Sequence, residues 1–95
     1  MRIAYLEDDT EIATTVGGWL RAAGYEVEPF VSGADCARAV ENHRFDACLL
    51  DWMVPDLSGA EVLARLQIKL KQAMPPVIFA TGRDSEEDVV GILTS

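Results

Sequence analysis

Short unbroken apolar runs alternate along this chain with longer stretches in which apolar residues recur every three or four positions. The run IAYL at 3–6 ends abruptly in Glu7, Asp8 and Asp9, the pattern of a strand buried on both faces that gives way to a polar turn. Ile12, Val16, Leu20 and Ala23 then fall at near-fourfold spacing. That spacing predicts a helix capped by Thr10, with Glu11 in its first turn and a stop at Gly24. Gly17 and Gly18 weaken it by roughly 1 kcal/mol each relative to Ala. The segment YEVEPFV alternates apolar and acidic residues like a strand with one exposed face, and Pro29 moves that strand to a sheet edge. Ser32 with Asp35 three residues later resembles a capping box and opens a short helix to about His43.

The second half repeats the alternation. FDACLL is an apolar strand, PDLSG a turn, and Val62, Leu63, Leu66 and Leu70 mark one side of a helix that Met74, Pro75 and Pro76 end. VIFA is a further strand and TGRD a loop. Asp84 or Ser85 caps a last helix in which Glu86, Glu87 and Asp88 crowd the first turn, and Val89, Val90, Ile92 and Leu93 supply an apolar side. Strict strand-helix alternation with continuous apolar strands predicts an α/β fold: one domain over 1–95 with a parallel sheet and helices on both faces.

Composition narrows the function. The chain has 95 residues, 49% hydrophobic, with a net charge of −8, and its basic residues are scattered among acidic ones. Direct binding of nucleic acid is therefore not expected. No apolar run approaches the roughly 18 residues of a membrane span, so no membrane association and a cytoplasmic location are expected. Cys36 and Cys48 lack metal-ligand spacing and read as buried free thiols. Trp19 reads as a core residue and His43 as a surface one.

In parallel sheets ligands sit beyond the carboxyl ends of the strands. Glu7, Asp8 and Asp9 end the first strand, Asp51 ends the third, and Thr81 with Gly82 ends the fourth. Carboxylates brought so close raise one another's pKa and call for a cation. Hard oxygen ligands of this kind describe a magnesium site. Asp51 can also attack phosphorus to form an aspartyl phosphate, with Thr81 placed to donate to the phosphoryl oxygens. A magnesium-dependent phosphohydrolase also uses such an intermediate, but it needs a second Asp two residues after the nucleophile, where this chain has Met53.

The motifs YLEDD, LLDWMVPDLSG and VIFATGRD give the chain a resemblance, from Met1 to Ser95, to the receiver domain of two-component response regulators. The resemblance implies a flavodoxin-like, doubly wound sheet of order 2-1-3-4, incomplete at the C-terminus. It implies that a sensor histidine kinase donates a phosphoryl group to Asp51, with Mg2+ held by Glu7, Asp8, Asp51 and the backbone carbonyl of Met53. Asp9 matches a less constrained position, Pro55 and Gly59 match the turn that shapes the acceptor loop, Thr81 matches the switch hydroxyl, and Gly82 the small position after it. A domain of this kind promotes its own phosphorylation and dephosphorylation and is not expected to be a classical enzyme. A DNA-binding output domain in a longer parent chain is a further expectation. Family members continue with a fifth strand ending in Lys-Pro and a fifth helix, whereas this sequence stops at GILTS. None of Lys69, Lys71 or Arg83 takes the place of the family lysine, so slow or uncoupled phosphoryl transfer is expected. The bared edge of the fourth strand invites homo-oligomers. The alternative reading is a receiver-like module that acts by assembly alone.

Overall fold

The computed structural model describes residues 1–51, 54 and 56–80. The helix expected over 84–95 lies outside them. Strands β1 (Arg2–Leu6), β2 (Glu26–Phe30), β3 (Ala47–Asp51) and β4 (Val77–Ala80) alternate with helices α1 (Thr10–Ala22), α2 (Gly33–Asn42) and α3 (Gly59–Leu70), and one 3-10 turn at Lys71–Ala73 precedes β4. Every strand pair is parallel, and the sheet order is β2-β1-β3-β4. Among the described residues β2 and β4 are therefore the edges. Pro29 sits in β2, where a missing N–H is tolerated.

Parallel neighbours are joined by right-handed crossovers. The chain moves from β1 outward to β2 and then back across to β3 and β4, so α1 covers one face of the sheet and α2 and α3 cover the other. The core lies on the α2 and α3 side. Ala4, Leu6, Cys48, Leu50 and Phe79 from the strands meet Cys36, Ala37 and Val40 of α2 and Val62 and Leu66 of α3. Phe30 packs edge-on against Phe45, with ring centroids 6.5 Å apart. The Arg2 guanidinium lies 4.7 Å from the Phe45 ring centroid, a cation–π contact.

Local chemistry sets the helix ends. α1 is capped by Asp9, not by the expected Thr10: the Asp9 carboxylate accepts from the N–H groups of Glu11 at 3.0 Å and Ile12 at 3.2 Å. Thr10 is already helical, and its carbonyl accepts from the Thr14 hydroxyl. Ser32 caps α2 by accepting from Asp35 N–H at 3.2 Å, as its sequence position predicts. The Asp35 carboxylate does not complete a box and pairs with Arg38 instead. A complete box stands at α3, where Ser58 Oγ accepts from Glu61 N–H and the Glu61 carboxylate accepts from Ser58 N–H.

Trp19 corrects a sequence expectation: it is 68% exposed, and Ile12 is 44% exposed. The buried residue of α1 is Gly17, and Trp19 lies two positions further on, about 200° around the helix, which turns it from the sheet. Cys36 and Cys48 are buried free thiols, each pushed up to about 12 by burial. His43 is an exposed C-cap.

Candidate functional site

Two strand ends build the site. The main chain of β1 runs on for one residue past Leu6, because Glu7 N–H donates to the Phe30 carbonyl at 3.0 Å. This bond carries the Glu7 side chain to the carboxyl edge of the sheet. There Glu7 is only 7% exposed, and its carboxylate accepts from Asp9 N–H at 3.1 Å. Asp8 follows on the exposed side of the turn. On the neighbouring strand Asp51 is the last residue of β3 and is equally enclosed at 7% exposure.

Glu7, Asp8 and Asp51 each offer a carboxylate oxygen, and these atoms lie within 4.8 Å of one another. Burial pushes the Glu7 carboxyl up to about 7, against the pull of the Asp9 N–H, with the charge and hydrogen bond of Asp51 and then the charge of Asp8 adding to the rise. Below them Tyr5 is buried, and its phenol is pushed up to about 12 by burial first and by the Glu7 and Asp51 charges next.

This donor set fits a magnesium ion. The oxygens are hard, two carboxylates are enclosed and one faces solvent, and three acidic groups at such separations hold more negative charge than they can keep without a proton or a cation. Of the predicted site residues, the fold thus brings Glu7, Asp8 and Asp51 together. Met53 and Thr81, expected as carbonyl ligand and switch hydroxyl, lie outside the described residues, as do Pro55 and Gly82.

The acceptor loop is braced from several sides. Val54 is buried in the core. A Cβ on Gly59 would stand 2.4 Å from the Asp51 carbonyl oxygen and 2.9 Å from the Phe79 ring. Only a residue without a side chain lets α3 begin that close to the acceptor strand. Asp56 holds the loop from outside, and sequence reading missed it. Its carboxylate accepts from Ser32 Oγ at 2.9 Å, Gly33 N–H at 2.9 Å and Ala34 N–H at 3.1 Å. The partners stand 22 to 24 residues away, so no local spacing could have pointed to them.

Comparison with known proteins agrees with this geometry. The response regulator receiver domain family matches residues 3–95. The phosphate regulon transcriptional regulatory protein PhoB of Rhizobium meliloti is 32% identical over 94 residues, which is 98% of this chain and 41% of that protein. The chain thus spans about two fifths of that relative's length. The receiver domain of sensor histidine kinase PA1611 from Pseudomonas aeruginosa, solved with a magnesium ion coordinated in its active-site cleft, superposes with a TM-score of 0.82 at 28% identity, covering 92% of this chain and 71% of that one. A structure of histidine kinase ThkA in complex with response regulator protein TrrA gives a TM-score of 0.80 at 25% identity, covering 90% of this chain and 72% of the matched chain.

Proposed function

Because this chain belongs to the response regulator receiver domain family, we propose that it is the phosphoacceptor module of a two-component system. In this reading Asp51 takes a phosphoryl group from a sensor histidine kinase. The observation that carries it is the enclosed meeting of Glu7, Asp8 and Asp51 at the carboxyl ends of β1 and β3.

The chemistry follows from the residues. An Asp51 carboxylate oxygen attacks the phosphorus of a phosphohistidine, the P–O bond of an acyl phosphate forms, the P–N bond breaks, and the leaving imidazole takes up a proton. Glu7, Asp8 and Asp51 would hold Mg2+, with the Met53 carbonyl as a further ligand. When bound there, the cation supplies charge neutralisation for the equatorial phosphoryl oxygens. Glu7 must release its proton to take part, and its Asp9 N–H contact orients the carboxylate for that role. Thr81 would donate its hydroxyl to the phosphoryl group. The backbone of Asp51 is held by its pairing with Ala80 of β4 and by Gly59 against its carbonyl, and the preceding Leu50 pairs with Leu6 of β1.

The chain is a participant in phosphoryl transfer and not a turnover enzyme. The name of its Rhizobium relative, a transcriptional regulatory protein, supports a parent protein that acts in transcription, and a DNA-binding output domain in such a parent is part of the proposal. The TrrA structure with a bound kinase supports the partner class. No helix among the described residues is long and apolar enough to cross a membrane. The test is transfer of radiolabel from an autophosphorylated histidine kinase. Label that moves to the chain only with Mg2+, and not to Asp51→Asn, supports the reading; label that never moves from any of a panel of kinases opposes it.

A further inference from the structure

Helix α2 is latched at both ends, and the two latches differ in what they hold. At its C-terminal end Glu41 accepts two hydrogen bonds from Arg65 of α3, Nε at 2.8 Å and a terminal nitrogen at 3.0 Å. That pair ties helix to helix, at the edge of the sheet away from the carboxylates. At its N-terminal end the tie runs to the loop that leaves Asp51. Asp56 accepts from one hydroxyl and two backbone N–H groups of residues 32 to 34. Backbone also meets backbone at this end, since a Cβ on Gly33 would stand 2.1 Å from the Leu57 carbonyl oxygen. The N–H groups of Gly33 and then Ala34, with the Ser32 hydroxyl, hold the Asp56 carboxyl far below the usual carboxylate range, so the latch stays charged at neutral pH.

Only four residues separate Asp51 from Asp56. Asp51 is fixed in the sheet, Val54 lies in the core, Asp56 is pinned to α2, and three residues after Asp56 a Cβ on Gly59 would stand 2.4 Å from the Asp51 carbonyl oxygen. Groups held in place before a ligand arrives need not be ordered when it binds. We propose that Asp56 is a positioning residue for the acceptor site, anchoring to α2 the chain that runs from Asp51 to the start of α3 so that Asp51 and Gly59 keep the spacing that cation binding and phosphoryl transfer require. This rests on the phosphoacceptor reading and adds to it a residue that touches neither the cation nor the phosphoryl group.

The test compares Asp56→Ala, Asp56→Asn and Glu41→Ala with the unaltered chain. Three readouts are taken: magnesium affinity by calorimetry, the rate of phosphorylation by acetyl phosphate, and amide exchange at residues 33, 34, 54, 56 and 57. Asp56→Ala should speed exchange at those amides, weaken magnesium binding about tenfold and slow phosphorylation by a similar factor, the usual effect of losing a partner that orients a metal site. Asp56→Asn keeps an acceptor oxygen and should come within about threefold of the unaltered chain. Glu41→Ala breaks the other latch and should leave magnesium affinity and rate unchanged. Faster exchange in Asp56→Ala with affinity and rate unchanged would make Asp56 a helix cap only and overturn the proposal. Equal losses in Glu41→Ala would mark a general loosening and overturn it as well. If the unaltered chain neither binds magnesium nor accepts a phosphoryl group, the functional reading falls, and the positioning role falls with it.

Discussion

Carboxylate oxygens of Glu7 and Asp51 lie within 4.8 Å of each other across the ends of β1 and β3, and both side chains are enclosed. In the metal-free protein this enclosure favours a proton on Glu7, whose carboxyl burial pushes from 4.5 up to about 7. The folded chain thus binds it more tightly than the unfolded chain does. The stabilisation is fully present below pH 4.5 and is lost as pH rises through about 7, where folding must bury a second charge beside Asp51. Denaturant midpoints measured in EDTA should therefore fall between those two values, and Glu7→Gln, which needs no proton, should flatten the fall. A midpoint that rises over this window in the unaltered chain alone would oppose the account.

Magnesium must displace the same proton. Binding should release a proton below pH 7, with affinity dropping about tenfold per pH unit on the acid side. Calorimetric titrations in buffers of different ionisation enthalpy count the released protons. The count should approach one near pH 6 and vanish above pH 8, and in Glu7→Gln it should be near zero throughout.

Gly59→Ala places a methyl group 2.4 Å from the Asp51 carbonyl oxygen. Because the opposing atom is backbone, either α3 or the end of β3 has to shift, at a stability cost of about 1–3 kcal/mol. Magnesium affinity should fall with it, since the displaced strand end carries Asp51. Gly18→Ala has open space around the added carbon and should instead stabilise α1 by up to about 1 kcal/mol. Chemical denaturation of both variants checks the pair.

Much of this architecture is legible in the sequence, because its signals are local. Unbroken runs such as IAYL, ended by acids, mark buried strands and place Glu7, Asp8 and Asp51 on one edge. Pro29 marks the edge strand. What the sequence hides are choices between near neighbours and contacts across long separations. Asp9 and Thr10 can both cap, and Asp9 wins because the turn after Glu7 leaves its carboxylate facing the first free N–H groups. Ser58 and Glu61 were readable as a box from their spacing, but the PDLSG turn hid the helix start at Gly59. Asp56 finds its partners only once β3 and α2 lie side by side. Trp19 reads as core because it stands near the apolar face of α1, yet the less exposed face is made by Ala13, Val16, Gly17 and Leu20, and Trp19 falls outside it.

Trp19→Gln puts that last point to the test. A residue 68% exposed contributes little to folding, so the substitution should change stability by no more than about 0.5 kcal/mol. Loss of several kcal/mol would restore Trp19 to the core.

The central claim is that Asp51 accepts a phosphoryl group in a cation-dependent reaction. Intact-protein mass spectrometry after incubation with acetyl phosphate measures this most directly. The account predicts a single added phosphoryl group that requires Mg2+, is lost on treatment with hydroxylamine, and is absent from Asp51→Asn. A chain that stays unmodified with Mg2+ present, or an Asp51→Asn variant modified as readily as the unaltered chain, would contradict it.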